Sequence, residues 1–250
     1  MENEVQKYKT IILIMFVLVI ILIVQNILLM KSEKEVVDAL NKIDTINTMQ
    51  MDLTKIGDAE KNDNIDLGWE LVLVNSDNKI PEDYEFELEY IDANRQFDSR
   101  AIGYLKEMLI AAKNDGITNL WAQSTYRSIE TQEGVFNDKV RQYMSQGMPE
   151  EEAKKLTERS INKPGYSEHN LGLSVDFNYV NNDFENTKAF KWLNENAENY
   201  GFILRYKEEK EDITNVKYEP WHWRYVGKEN AIKMNELDMC LEEYVEYLKN

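Results

Sequence analysis

Two histidines stand in the 250 residues of this chain, and both lie in short motifs dense in groups that bind metals or move protons. His169 belongs to Ser167-Glu168-His169-Asn170-Leu171-Gly172-Leu173-Ser174-Val175-Asp176, which places an aspartate seven positions downstream across a glycine. His222 belongs to Tyr218-Glu219-Pro220-Trp221-His222-Trp223. Two imidazoles and one carboxylate make three protein ligands and leave the fourth position of a tetrahedral metal open to water, the pattern of a catalytic rather than a structural site. His169, Asp176 and His222 are therefore the predicted metal ligands. The competing reading, two unrelated histidines and a surface aspartate, leaves unexplained why both histidines of so histidine-poor a chain fall in such motifs. Gly172 frees the backbone to turn between the first two ligands. Glu219, three residues before His222, is the candidate to take a proton from the water. Positions i and i+3 of a regular strand face opposite sides, so the chain must bend there, and Pro220, which cannot continue a sheet ladder, supplies the bend. The alternative for Glu219 is a supporting role behind one ligand.

The order of these motifs resembles that of the zinc D-alanyl-D-alanine carboxypeptidases of the vancomycin-resistance type, the VanY-like group, within a wider set that takes in lysostaphin-type endopeptidases and hedgehog domains. The resemblance runs from about Trp69 to Tyr247 and takes in Ser124-Thr125-Tyr126-Arg127-Ser128, Pro164-Gly165-Tyr166, Tyr200-Gly201-Phe202 and Trp221-His222-Trp223-Arg224-Tyr225. It implies Zn2+ at the three ligands, hydrolysis rather than redox work, and a substrate that is a peptidoglycan stem peptide ending in D-Ala-D-Ala. It also implies that Arg127 acts beside Glu219 in catalysis, its planar guanidinium suiting an oxyanion or a substrate carboxylate; a surface salt bridge is the competing role. Ser167, Tyr126 and Gln132 resemble positions that bind the end of the peptide, and Trp221 and Trp223 frame the site. Thr125 and Ser174 depart from the group's usual glycine and alanine, which bears on cleft shape and substrate choice more than on ligation.

Composition narrows the function classes. A formal net charge of -17, from 29 basic and 46 acidic residues, argues against a nucleic-acid partner, which needs clustered cations to displace counterions. The single cysteine, Cys240, rules out an intramolecular disulfide and reads as a small packed residue. Residues 1–9 form a short polar tail, and Ile11 to Met30 carry no charge. Twenty such residues span about 30 Å as a helix, the thickness of a bilayer's hydrocarbon core, so 10–30 is the expected transmembrane signal anchor. No small-residue cleavage site of the signal-peptide kind follows it. Lysines flank this segment on both sides, so charge does not orient it; the implied wall substrate places the remainder outside the cell. Residues 31–66 show apolar positions three and four apart and read as a stalk on a monomer, with a short dimerisation coiled coil as the alternative.

The enzyme-sized domain, 67–250, must then position the site. Trp69 to Val74 reads as a strand ended by Asn75-Ser76-Asp77-Asn78. Asp98 or Ser99 caps a helix with Ile102, Leu105, Met108, Leu109 and Ala112 inward, closing at Gly116. Asn119 to Gln123 reads as a strand that delivers Arg127, Ser128 caps a helix to about Gln146, and Pro149 with three glutamates opens the next. Thr187 to Asn199 reads as a helix, Phe202 to Tyr206 and Trp221 to Tyr225 as strands, and Lys228 to Leu248 as two helices. Strands and helices do not alternate regularly, which predicts an α+β domain with a small antiparallel central sheet and flanking helices. The expected function is that of a membrane-anchored zinc D,D-carboxypeptidase. The alternatives are a related wall endopeptidase or D,D-dipeptidase, and a zinc-stabilised wall-binding module without turnover; Glu219 and Arg127 argue for an enzyme.

Overall fold

The computed structural model describes residues 67–250, which lie in one compact unit, Ile65–Asn250. The expected anchor at 10–30 and stalk at 31–66 lie outside the described residues. Among the described residues no helix is long and apolar enough to cross a membrane.

In chain order the elements are β1 (Leu88–Tyr90), β2 (Gln96–Asp98), α1 (Ile102–Asn114), β3 (Ala122–Ser124), α2 (Ile129–Ser145), α3 (Glu150–Glu158), β4 (Ser174–Phe177), α4 (Lys188–Asn196), β5 (Phe202–Leu204), α5 (Glu211–Thr214), β6 (His222–Tyr225), α6 (Lys228–Glu236) and α7 (Leu241–Lys249). β1 and β2 form an antiparallel hairpin, and the central sheet is antiparallel in the order β3-β4-β6-β5. The α+β reading with a small antiparallel sheet holds for the described residues.

Alternation along the two middle strands explains the whole layout. Val175, Phe177, Trp223 and Tyr225 point to one face, where they join Phe202, the inward side chains of α1 (Ile102, Leu105, Met108, Ala112) and those of α4 (Ala189, Trp192, Leu193) in the main core. The intervening residues, Ser174, Asp176, His222 and Arg224, are polar, yet all four are buried. A sheet whose second face is both polar and buried has been folded around something other than hydrocarbon, since each such group costs free energy unless it is paired. A second apolar cluster, built from Leu71, Ile203, Val226, Ala231, Met234, Leu241, Tyr244 and Val245, docks α6 and α7. The α2–α3 hairpin closes on a small cluster of its own, Phe136, Val140 and Ala153.

Ser128 caps α2 as its sequence predicts, its hydroxyl accepting from the Thr131 amide at 3.1 Å. Three expectations are corrected. Trp69 to Val74 is not a strand: Trp69–Leu71 form a 3-10 turn, and the carbonyls of Glu70 and Val72 accept hydrogen bonds from the Arg224 guanidinium at 2.8 and 3.1 Å instead of from a ladder. Neither Asp98 nor Ser99 caps α1; Ala101 stands at that position, and the Asp98 carboxylate binds Arg100. The helix expected to reach Asn199 ends at Asn196 and tightens into a 3-10 turn, Ala197–Tyr200, before Gly201. Cys240 is buried, and burial pushes its thiol up to about 11, as suits a packed residue.

Candidate metal centre and active site

Strand register brings the ligands together. Asp176 on β4 lies directly opposite His222 on β6, so both side chains leave the sheet on the same face. His169 arrives from the 3-10 turn Glu168–Leu171 just before β4, which Gly172 ends in the left-handed conformation at φ 72°. A Cβ on Gly172 would meet the Asp98 amide nitrogen at 3.1 Å and a Leu88 methyl at 3.2 Å, so the position needs glycine for both conformation and space.

His169 Nε2 is 3.2 Å from Asp176 Oδ2, and His222 Nδ1 is 3.0 Å from Asp176 Oδ1. The rings meet nearly edge to face with centroids 5.0 Å apart. One ligand atom from each of the three residues lies within 4.8 Å of the others, and all three residues are buried. The remaining ring nitrogens are anchored elsewhere. His169 Nδ1 lies 2.7 Å from the Thr125 carbonyl, and His222 Nε2 lies 3.5 Å from Glu168 Oε2. A proton held on each outer nitrogen leaves the inner nitrogens as lone pairs converging on a carboxylate, an arrangement stable only with protons or a cation between them. Spacings of 3.0 and 3.2 Å are close to the roughly 3.3 Å that separates two ligands about one tetrahedral zinc bound at ~2.0 Å. The residues present therefore fit zinc.

Burial and neighbouring charges set the protonation of each group differently. Burial and the neighbouring Arg127 guanidinium lower His169 to about 4, so its ring is neutral near pH 7. Burial works against protonated His222, but its contacts with Asp176 and Glu168 raise it to about 9. Asp176 and Glu168 stay ionised: burial opposes this, and it is overcome at Asp176 by the two histidines and at Glu168 by Arg205 and Arg224. Glu219 behaves oppositely. Burial, aided by Asp176 and opposed by His222, raises it to about 8, into the range useful to a group that must both take and give a proton. Its Oε2 lies 3.8 Å from His222 Nδ1. The turn through Pro220 and Trp221, closed by the His222 amide on the Glu219 carbonyl at 3.1 Å, puts the two side chains on one side.

Arg127 enters from the loop between β3 and α2. Its guanidinium reaches Asp176 Oδ2 at 3.3 Å, Gln132 Oε1 at 2.8 Å and Ser124 Oγ at 3.2 Å, and its amide is held by the His169 carbonyl at 3.0 Å. Arg127, Ser167 and Glu219 join the three ligands in the wall of one cleft of about 310 Å3, which Gln132, Asn162 and Tyr206 also line. Gln132 has both ends of its amide engaged, with Arg127 and with the Asn162 carbonyl at 2.6 Å. Tyr126 does not line this cleft; its ring meets Phe86 with centroids 6.0 Å apart. The Ser167 hydroxyl accepts from the His169 amide at 3.3 Å and so helps shape the ligand turn.

The model of the VanY D-alanyl-D-alanine carboxypeptidase family matches residues 94–228, a span that holds His169, Asp176, His222, Glu219 and Arg127. The chain belongs to the VanY family. It is 41% identical over 177 residues to a D-alanyl-D-alanine carboxypeptidase of Enterococcus faecalis, covering 71% of this chain and 66% of that protein, so it spans just under two thirds of that relative's length. Two VanY structures superpose closely. A vancomycin-resistance D,D-pentapeptidase VanY variant in complex with Zn(II) is 40% identical with a TM-score of 0.65, over 71% of this chain and 99% of that one. VanYB in complex with D-alanine-D-alanine is 40% identical with a TM-score of 0.66, over 72% and 98%.

Sequence reasoning missed the residues behind the ligands. Glu168, Arg205, Arg224 and Glu242 form a chain of buried ion pairs beneath His222. A signal for part of it was present in β6, where a charged residue stands between Trp223 and Tyr225 at the alternate position of an apolar strand.

Proposed function

We propose that this VanY-family chain is a zinc D-alanyl-D-alanine carboxypeptidase that removes the terminal D-alanine from peptidoglycan stem peptides. The observation that carries the reading is the convergence, in one cleft, of three metal ligands, a buried glutamate poised near neutrality and an arginine fork. The Zn(II) and D-alanine-D-alanine complexes of its structural neighbours support the choice of metal and substrate.

His169, Asp176 and His222 would hold the zinc ion, which when bound would supply the Lewis acidity that lets a water lose a proton near neutral pH. Glu219 would serve as the base, taking a proton from the attacking water as its oxygen adds to the carbonyl carbon of the penultimate alanine. It then returns the proton to the leaving amine nitrogen as the C–N bond breaks. The Arg127 guanidinium binds the developing oxyanion or the terminal carboxylate, and Gln132 and Ser124 keep it from turning away. Asn162 Oδ1, buried in the cleft wall with no hydrogen-bond partner among the described residues, offers an acceptor for a substrate N–H.

The uncharged stretch from Ile11 to Met30 supports a further part of the proposal, that the chain is a single-pass membrane protein with this domain on the cell-wall side. Incubating the full chain with a pentapeptide ending in D-Ala-D-Ala tests the activity, with and without chelator and beside Glu219→Gln. Loss of one alanine, abolished by the chelator and reduced about 10²- to 10⁴-fold by the substitution, is the expected result. A zinc-loaded protein that leaves the peptide intact overturns the reading in favour of another bond or a binding module.

A further inference from the structure

We infer that Glu168 is a positioning residue for the metal centre, fixing both the orientation and the tautomer of His222 so that its Nδ1 is presented to zinc. The inference rests on the zinc reading above and extends it to residues that do not touch the metal.

The Glu168 side chain is completely buried and divides its oxygens between two tasks. Oε1 accepts from Arg205 Nε at 2.7 Å and from Arg224 Nη1 at 3.0 Å. Oε2 faces His222 Nε2 at 3.5 Å and, among the described residues, is the acceptor that this nitrogen finds. A neutral imidazole carries one proton, and an acceptor-only carboxylate opposite Nε2 keeps it there, leaving Nδ1 with its lone pair toward Asp176. His169 is set the other way, its Nδ1 facing the Thr125 carbonyl and its Nε2 the centre. The two histidines thus present opposite nitrogens, and each choice is made by a group outside the ligand set.

Both arginines are themselves held. Arg205 forms a two-pronged pair with Glu242 at 2.7 and 2.8 Å, and Asn75 donates to the same carboxylate at 3.0 Å. Arg224 donates to the carbonyls of Glu70, Val72 and Tyr225. Two guanidinia and two carboxylates balance, so the cluster adds no net charge beneath the metal. As a device for stability alone the arrangement is a poor one, because apolar residues of similar volume serve as well or better than buried ion pairs. The contact to His222 is what an apolar replacement would lose.

The test compares zinc affinity of the full chain, measured by competition with a chromophoric chelator, among wild type, Glu168→Gln and Glu242→Gln. Glutamine at 168 keeps an acceptor for the arginines and removes the charge facing His222; glutamine at 242 damages the same network at its far end. Glu168→Gln is expected to weaken zinc binding about 10- to 100-fold, while Glu242→Gln lowers thermal stability with zinc affinity unchanged. Equal effects of the two substitutions on zinc affinity, or none from Glu168→Gln, overturn the inference. Should Glu168→Gln fail to fold, nitrogen NMR of wild-type, zinc-loaded protein labelled in histidine decides, since the chain has two histidines and four ring nitrogens to assign. A proton on Nε2 of His222 with metal on Nδ1 supports the inference, and the reverse overturns it. Neither readout uses peptide cleavage, so a chain that binds zinc in this way but leaves D-Ala-D-Ala intact would lose the proposed activity and keep this assignment.

Discussion

Zinc binding to this chain should release close to two protons at pH 7, and the source of each can be named. In the metal-free protein Asp176 and Glu168 raise His222 to about 9 against the opposition of burial, and burial raises Glu219 to about 8. At pH 7 both groups are therefore largely protonated. His169, lowered to about 4 by burial and Arg127, holds almost none. A metal ligand must be neutral imidazole, so His222 gives up its proton, and the cation's charge favours ionised Glu219 in the same step. The apparent zinc affinity should therefore rise about a hundredfold per pH unit between roughly pH 5 and 7, and less steeply above as His222 and Glu219 lose their protons in the metal-free chain. The raised groups also set the stability of the metal-free protein. His222 contributes stability that is complete below about 6.5 and lost as pH rises through about 9, and Glu219 contributes in the same sense from about 4.5 through 8. His169 has the opposite sign, its contribution growing from about pH 4 and complete only about one unit above 6.5. Between pH 6.5 and 9 the melting temperature of the metal-free chain should fall, and saturating zinc should reverse the trend. Calorimetric titration in buffers of differing ionisation enthalpy counts the protons directly. Release near zero at pH 7 would mean that His222 is already neutral without metal, and would refute the electrostatic account of the site.

Arg127→Lys keeps the charge but loses the fork that binds Asp176, Gln132 and Ser124 together; kcat/KM should fall about 10²- to 10³-fold with zinc stoichiometry unchanged, as steady-state kinetics and metal analysis would show. Gly201→Ala places a Cβ at φ 83°, 2.8 Å from the Tyr225 ring and 3.0 Å from the Gly227 carbonyl carbon. It should cost about 1–2 kcal/mol or more and lower Tm by about 3–8 °C in a thermal melt, with zinc affinity retained because the position lies at the far end of the β5–β6 ladder from His222.

Much of the site was legible in the sequence because its chemistry demands rare residue types at short spacing. Histidine is scarce here, and each copy carries its partners nearby: Gly172 and Asp176 after one, Glu219 and Pro220 before the other. The longer helices were legible for a similar reason, since Ile102, Leu105, Met108 and Ala112 repeat at helical spacing and Ser128 announces its cap. Short strands were harder. Trp69 to Val74 has a strand's composition, yet its carbonyls are taken by Arg224, a residue more than 150 positions away.

That distance marks the boundary between the two kinds of information. Residue type and local spacing by themselves determined the metal ligands proposed, the nearby glutamate and the α+β class, because those depend on functional groups and on periodicity. Tertiary structure alone decided which nitrogen of each histidine faces the centre, that Glu219 is buried enough to titrate near neutrality, that Tyr126 turns to Phe86 rather than the cleft, and that Glu168 stands behind His222. Those properties depend on burial and on the register of β4 against β6. Both are set by packing among segments distant in the chain, which no local pattern encodes.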